Sequence, residues 1–525
     1  MSTASPPALT QVPRVVATRP PATRASVRAA NRWAGFVVVC LGMMMTFLNI
    51  TQTVATLAAV QQDLRLSGAD LVWVASIYSM VVASLVLSAG TIGDILGRRV
   101  VFTVGTAVLA AGSLVVFFAS GSAGVIAGQA VMGVGGAMIL PNSLSIVTHA
   151  FSDAHERTTA VSIWAAVSGV GLAIGPLTAG LLLEAFSWHS VFLVNVGLAV
   201  VVLALTPAFV ADSRHPHRRL DAPGLLLAIV AIAALNYAVI EGGHDSFAAT
   251  KVLAAFAAAG IAAMAFIAVE ARSRTPMLHL PLFRIRSFST ANVVALVAQY
   301  GFVGIALLQV LYFQRIRHDS ILAAGVRMLP LMAVYVVVSA VAARVVRRLG
   351  FKATIGAGLL LSAVAALLMV NQQATTSFAV TAVLLAMFGA GAGLILPPST
   401  AAAVISVPHQ EGGMASATVN MFRQVGNTLG ASITGTILTS GLVSRLPGQL
   451  ADRGVSHDVA AHVASAVGNG SGAASAPAGL RATITASIGD AFAGALHLAV
   501  LIPGLAGLAA AAATVAFIHN RPAHS

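Results

Sequence analysis

In a chain of 525 residues that is 58% hydrophobic and 9% charged, the few side chains able to do chemistry stand out against an apolar background. Gly90-Thr-Ile-Gly-Asp94-Ile-Leu-Gly97-Arg98-Arg99 sets one carboxylate at the end of an apolar run with two guanidinium groups just beyond it. Such a loop can bond to a neighbouring helix end and hold one conformation of a moving structure. Gly171-Leu-Ala-Ile-Gly175-Pro176-Leu-Thr-Ala-Gly180 places three glycines on neighbouring helix faces beside a proline. Small residues permit close helix approach, and the proline removes a backbone donor and leaves a point that can bend. Arg423 lies inside an apolar run that also carries Asn420, Gln424 and Asn427, and an ionisable group within a membrane span is a functional residue by default. Asn49, Gln52, Gln129, Trp164, Gln299, Tyr300 and Gln309 are the other polar residues placed to line a path. Protons can be carried by Glu184 and Glu241, near the outer ends of their runs, or by His149 and His497, which titrate at useful pH but also sit near run ends.

Several chemistries are excluded by what surrounds these residues. The only lysines, Lys251 and Lys352, do not follow Gly or precede Ser/Thr, so there is no phosphate-cradling loop for ATP. Gly389-Ala-Gly391-Ala-Gly393 looks like a nucleotide loop only in composition, because it sits inside an apolar run with no strand before it. No G-x-S-x-G, H-E-x-x-H or paired intramembrane carboxylates point to an enzyme. His149 and Asp153 lack further ligands for a metal, and the lone Cys40 allows no intramolecular disulfide. No cofactor or metal is expected. A channel would need charge rings or pore loops that are absent from the sequence.

The elements that must hold these residues are membrane-spanning helices. Mean hydropathy is +0.91, and soluble domains carry roughly 25% charged residues. Apolar runs at about 34–58, 72–92, 100–119, 125–147, 159–183, 190–210, 223–241, 251–270, 289–311, 323–343, 353–371, 377–399, 414–439 and 491–517 predict fourteen spans of an all-α integral membrane protein. The basic excess, +13 overall, reports topology rather than nucleic-acid binding. With the N-terminus inside, twenty basic residues fall on inner segments and eight on outer ones, which places both termini in the cytoplasm. Gly133 to Pro141 aligns with Gly389 to Pro397 at an offset of 256, and Gly171, Gly175 and Gly180 align with Gly426, Gly430 and Gly435 at 255. The chain therefore divides into a disordered basic tail (1–33), a six-helix half (34–211), two inserted helices with linkers (212–287), a second six-helix half (288–517) and a short tail (518–525). Within the second half, the Gly/Ala/Ser-rich segment 440–490 is expected to be a loosely ordered external loop.

The Gly90–Arg99 loop, the Gly171–Gly180 element, Trp73 and Tyr78, Gly133 to Pro141, and Trp188 to Asn195 together resemble the major facilitator superfamily, specifically its fourteen-helix drug:proton antiporter family. Pro276 to Phe288 and Arg423 to Gly426 also resemble family segments. The resemblance implies a bundle of two six-helix halves plus two inserted helices, working as a single chain in the inner membrane. It further implies export of amphipathic drugs or secreted metabolites, as in antibiotic-resistance efflux, driven by proton entry. The Gly-Pro element is the family's antiporter motif. Two positions depart from the pattern: Leu48-Asn49-Ile50-Thr51 stands where the family carries an Asp, and Gln129 stands where it tends to carry an Arg. Losing a membrane acid and a membrane base together, while keeping hydrogen-bonding capacity, is physically coherent because either charge alone is costly. The expected activity is alternating-access export in exchange for protons, with a facilitator or proton-linked importer as the rival and a membrane-embedded enzyme behind both.

Overall fold

A computed structural model describes residues 22–518, apart from 152, 214–220, 245, 274–275, 277, 279, 318, 374, 409–410 and 469–479. Most of both expected tails (1–21 and 519–525) therefore lies outside the described residues. The regular elements among the described residues are helical. The first half contains α1 (Ala22–Leu64), α2 (Gly68–Leu96), α3 (Arg98–Phe117), α4 (Ser122–Ala150), α5 (Ala154–Ala185) and α6 (His189–Phe209). An inserted hairpin, α7 (Ala222–His244) and α8 (Thr250–Arg272), follows. The second half contains α9 (Arg286–Leu311), α10 (Ile321–Arg327), α11 (Leu329–Met369), α12 (Phe378–Ile405), α13 (Gly412–Asp452), α14 (His457–Gly468) and α15 (Arg481–Phe517). A π-helical turn, Tyr312–Ile316, extends α9.

Among the described residues eleven helices are long and apolar enough to cross a membrane, or twelve when α2, bent by 53° between 70–86 and 88–96, counts as one span. One of the eleven, Leu322–Met369, has 48 residues. At 1.5 Å per residue that is about 72 Å, more than twice a bilayer core of about 30 Å. It is broken at Gly350, whose φ of 80° and ψ of 169° are not helical. Gly97, with φ 112°, makes the equivalent break between α2 and α3, at an offset close to that of the repeat. Each break uses a backbone conformation that L side chains rarely adopt. α13 falls outside the apolar count because it carries Thr418, Asn420, Arg423, Gln424 and Asn427. With α13 included and α11 divided at Gly350, fourteen crossings fit the structure.

Two expectations about boundaries change. α1 begins at Ala22, earlier than the expected span, so the last part of the predicted tail is helical. Segment 440–490 is not loose over 440–468: α13 runs on to Asp452 and α14 follows. The reason is an apolar stripe at four-residue spacing, since Leu442, Leu446 and Leu450 are all buried. The remaining part of that segment, 469–479, lies outside the described residues.

Two seams join the halves. α5 packs on α10 and α11, and α13 packs on α2, so repeat-related helices exchange places across the molecule. The inserted helix α7 covers the second seam, with Tyr237 against Trp73 at 6.1 Å between ring centres. The "near end" of the bundle is where α1 begins and the Gly97 and Gly350 turns lie; the opposite end is the "far end".

Candidate functional site

The centre of the first half is an uncharged hydrogen-bond network built on one face of α1. Asn49, Gln52, Thr53 and Thr56 fall at helical spacing, all buried. Asn49 Nδ2 donates to Gln129 Oε1 at 3.0 Å, and Gln129 Nε2 donates to Thr53 Oγ1 at 2.7 Å. Gln52 Nε2 donates to Thr178 Oγ1 at 3.1 Å, and Asn195 Nδ2 donates to Gln52 Oε1 at 3.1 Å. The two positions that depart from the family pattern are thus amides bonded to each other, with the Asn49 Oδ1 atom buried and without a described partner. Thr53, Thr178 and Asn195 complete the network. The i, i+3, i+4, i+7 polar spacing on α1 is the sequence signal that would have gathered Thr53 and Thr56 with the amides.

The Gly171–Gly180 element presses α5 onto two partners. A Cβ at Gly171 would lie 2.7 Å from the Met44 carbonyl oxygen, and one at Gly175 would fall on Thr51 Oγ1 and 3.0 Å from the Gln52 amide. A Cβ at Gly180 would meet Leu322 Cα at 2.8 Å, and one at Gly325 would meet the Pro176 carbonyl oxygen at 3.0 Å. The antiporter element therefore touches the amide-bearing helix α1 on one side and the other half, through α10, on the other. In the second half Gly430 packs on α9 in the same manner, 2.6 Å from the Tyr300 carbonyl oxygen for an added Cβ. On the second seam Ser76 and Ser432 share a hydrogen bond at 3.1 Å, and Ser432 Oγ donates to Asn236 Oδ1 of α7 at 3.5 Å. A Cβ at Gly435 would sit 3.3 Å from Val72. These contacts across both seams gather in the far part of the bundle.

At the near end, Asp94 is buried and pairs with Arg98 at 2.9 Å across the Gly97 turn. The Arg99 amide donates to Asp212 Oδ1 at 3.2 Å, its guanidinium donates to the Val210 carbonyl at 3.3 Å, and the Arg98 amide donates to the Ser213 carbonyl at 3.1 Å. The loop is bonded to the neighbouring end of α6, within the first half. Gly90 lies against Pro141, and a Cβ at Gly93 would collide with the Asn142 side chain, which bonds the Ala89 carbonyl at 3.1 Å.

The remaining expected residues do not all converge. Arg423 Nε donates to Gln299 Oε1 at 3.4 Å, joining α13 to α9. Asn420 bonds its own helix at the Ser416 carbonyl. Tyr300 is buried with its hydroxyl lacking a hydrogen-bond partner. Gln309 is held inside the second half by Gln372 at 2.6 Å, and Trp164 donates to Ser143 at 3.1 Å between α5 and α4. Of the proton candidates, Glu184 is exposed near the end of α5 and Glu241 pairs with Lys251 at 2.7 Å, whereas His497, expected near a run end, is exposed in the middle of α15 because that helix begins at Arg481, ahead of the apolar run. His149 lines a near-end cavity of about 260 Å³ with Arg32, Phe36 and Phe151. None of the four contributes a described bond to the amide network. Among the described residues no group of His, Cys, Asp and Glu is arranged to hold a metal ion.

Two repeat-related helical halves, packed along glycine seams around a buried polar core, define a membrane transporter of the alternating-access class. Residues 36–431 match the profile of the Major Facilitator Superfamily, and the chain belongs to that family. It is 32% identical over 407 residues to the multidrug resistance protein Stp of Mycobacterium tuberculosis, covering 77% of this chain and 76% of that protein. It is 33% identical over 399 residues to the methylenomycin A resistance protein of Streptomyces coelicolor, covering 76% and 84% respectively. The fold is shared with a crystal structure of a bacterial homolog of the human lysosomal transporter Spinster in an inward-facing, unoccupied conformation, with a TM-score of 0.61, 14% identity, and coverage of 94% of this chain and 99% of that one.

Proposed function

We propose that this chain exports amphipathic compounds, drugs or secreted metabolites, across the cytoplasmic membrane by alternating access in exchange for protons. The observation that carries the reading is the asymmetry of the seams. Gly180 on Leu322, Pro176 on Gly325, Ser76 on Ser432 and Val72 on Gly435 close the two halves toward the far end, around a core of amides and hydroxyls. The relatives named for multidrug and methylenomycin resistance support the direction of transport. The excess of arginine on near-end segments supports a cytoplasmic near end, and with it a state open to the cytoplasm. Rocking the halves would part the α5–α10 and α2–α13 seams and open the far side. Asp94, Arg98 and Arg99, tied to the end of α6, would stabilise one of the two states, and the chain would work as a monomer.

A second reading, a facilitator or proton-linked importer, is favoured by one observation: the amide pair Asn49–Gln129 stands where coupling charges would be expected. Under the first reading the candidate proton carriers are Glu184, Glu241, His149 and His497. Efflux of fluorescent amphipathic compounds from cells expressing the chain, with and without a protonophore, separates the readings. Export that collapses with the gradient supports the antiporter; export or uptake indifferent to the gradient overturns the coupling and favours the facilitator.

A further inference from the structure

Arg423 is the twelfth residue of α13, so it stands about 17 Å from the near end of that helix, and its partner Gln299 is the fourteenth residue of α9, about 20 Å from its near end. Both positions are close to the middle of a bilayer core of about 30 Å, too deep for a side chain to reach the near interface. A guanidinium at this depth persists only where it meets water or an opposite charge. Arg423 is half-buried at the junction of α13 with α9. Among the described residues it makes no ion pair, and its described bond is to a neutral amide. Among the described residues, fourteen of the fifteen Asp and Glu lie near a helix end or in a connection; the other, Asp490, lies in the far-end turns of the 37-residue α15. The first half contributes only neutral groups, since Asn49 and Gln129 bond each other. The transport core therefore carries one uncompensated positive charge.

The surroundings are suited to an aromatic or amphipathic body. On α9, one turn beyond Gln299, Phe302 packs against the ring of Tyr335 from α11 with centres 5.3 Å apart. Tyr300, beside Gln299 on α9, adds a buried hydroxyl with no partner at the α9–α13 interface. We propose that the transported molecule supplies the counter-charge to Arg423, and that this chain prefers amphipathic organic anions, carboxylates or phenolates, over amphipathic cations. The inference rests on the transport reading above and narrows it to a substrate class.

The test is equilibrium binding to the purified full chain in detergent, using three probes with one fluorophore: dansyl-leucine (anion), its methyl ester (neutral) and dansyl-cadaverine (cation). The wild type should bind dansyl-leucine at least about ten-fold more tightly than the ester, and the cation most weakly. Arg423→Gln should bring anion and ester to within about two-fold of each other, and Arg423→Lys should keep most of the preference. Equal binding of all three probes to the wild type, a preference for the cation, or an undiminished preference in Arg423→Gln would overturn the proposal. Displacement of dansyl-leucine by phosphatidylglycerol at equal affinity would also overturn it, by assigning the charge to a lipid headgroup. The wild-type comparison needs no variant to fold. Anion-selective binding without export from cells would sink the export reading alone, whereas export of cations with no anion preference would sink this inference alone.

Discussion

At the residue scale, the structure turns on amides standing where charges are expected. The buried pair Asn49–Gln129 is held by Asn49 Nδ2 donating to Gln129 Oε1 and by Gln129 Nε2 donating to Thr53, while Asn49 Oδ1 has no described partner. Replacing Gln129 with Leu leaves buried polar atoms without partners, at a cost of about 1–3 kcal/mol, and thermal unfolding of the purified protein should register the loss. Asn49→Leu in the same background should then cost less than it does alone, because the two residues act as a unit. Asp94→Asn removes the carboxylate that pairs with Arg98 and should lower transport by about ten-fold with expression near normal; wild-type rates in that variant would refute a gating role. The types of these residues were legible in the sequence, whereas the place of Arg423 was open between the cavity and the inner interface. Their partners were not legible: Thr178 and Asn195 lie more than a hundred residues from Gln52, and only helix packing brings them together. Gln309 and Trp164 show the converse, polar groups in apolar runs whose bonds are made within one half.

At the element scale, glycine position decides what packs and what breaks. Gly175→Leu would drive a side chain into Thr51 and the backbone of Gln52, separating α5 from α1, and export should fall by about ten-fold or more, measured against a control at lipid-facing Val200. Gly350→Ala forces an L side chain into a positive φ and should cost roughly 1–2 kcal/mol, seen as a lower midpoint of thermal unfolding. Helix number and the repeat were readable because apolar runs and paired glycines survive in the sequence as periodic signals. Segment 440–468 was not, because its Gly, Ala and Ser content hides the stripe Leu442, Leu446, Leu450 that buries it.

At the scale of the whole molecule, the seams carry the account. Both join repeat-related helices, and their described contacts gather at the far end, so opening that end requires both to part. The family-level architecture was legible, whereas the inserted helix α7 clipping one seam through Asn236 and Ser432 was not, because nothing local in 222–244 marks its neighbour. The most direct measurement is cross-linking across the α2–α13 seam. Ser76 and Ser432, whose Oγ atoms are 3.1 Å apart, are replaced together by cysteine in a Cys40→Ser background, and efflux is followed under oxidising and then reducing conditions. Two halves that must separate to release substrate predict that oxidation stops efflux and reduction restores it. Full-rate efflux from the cross-linked protein would contradict alternating access through this seam.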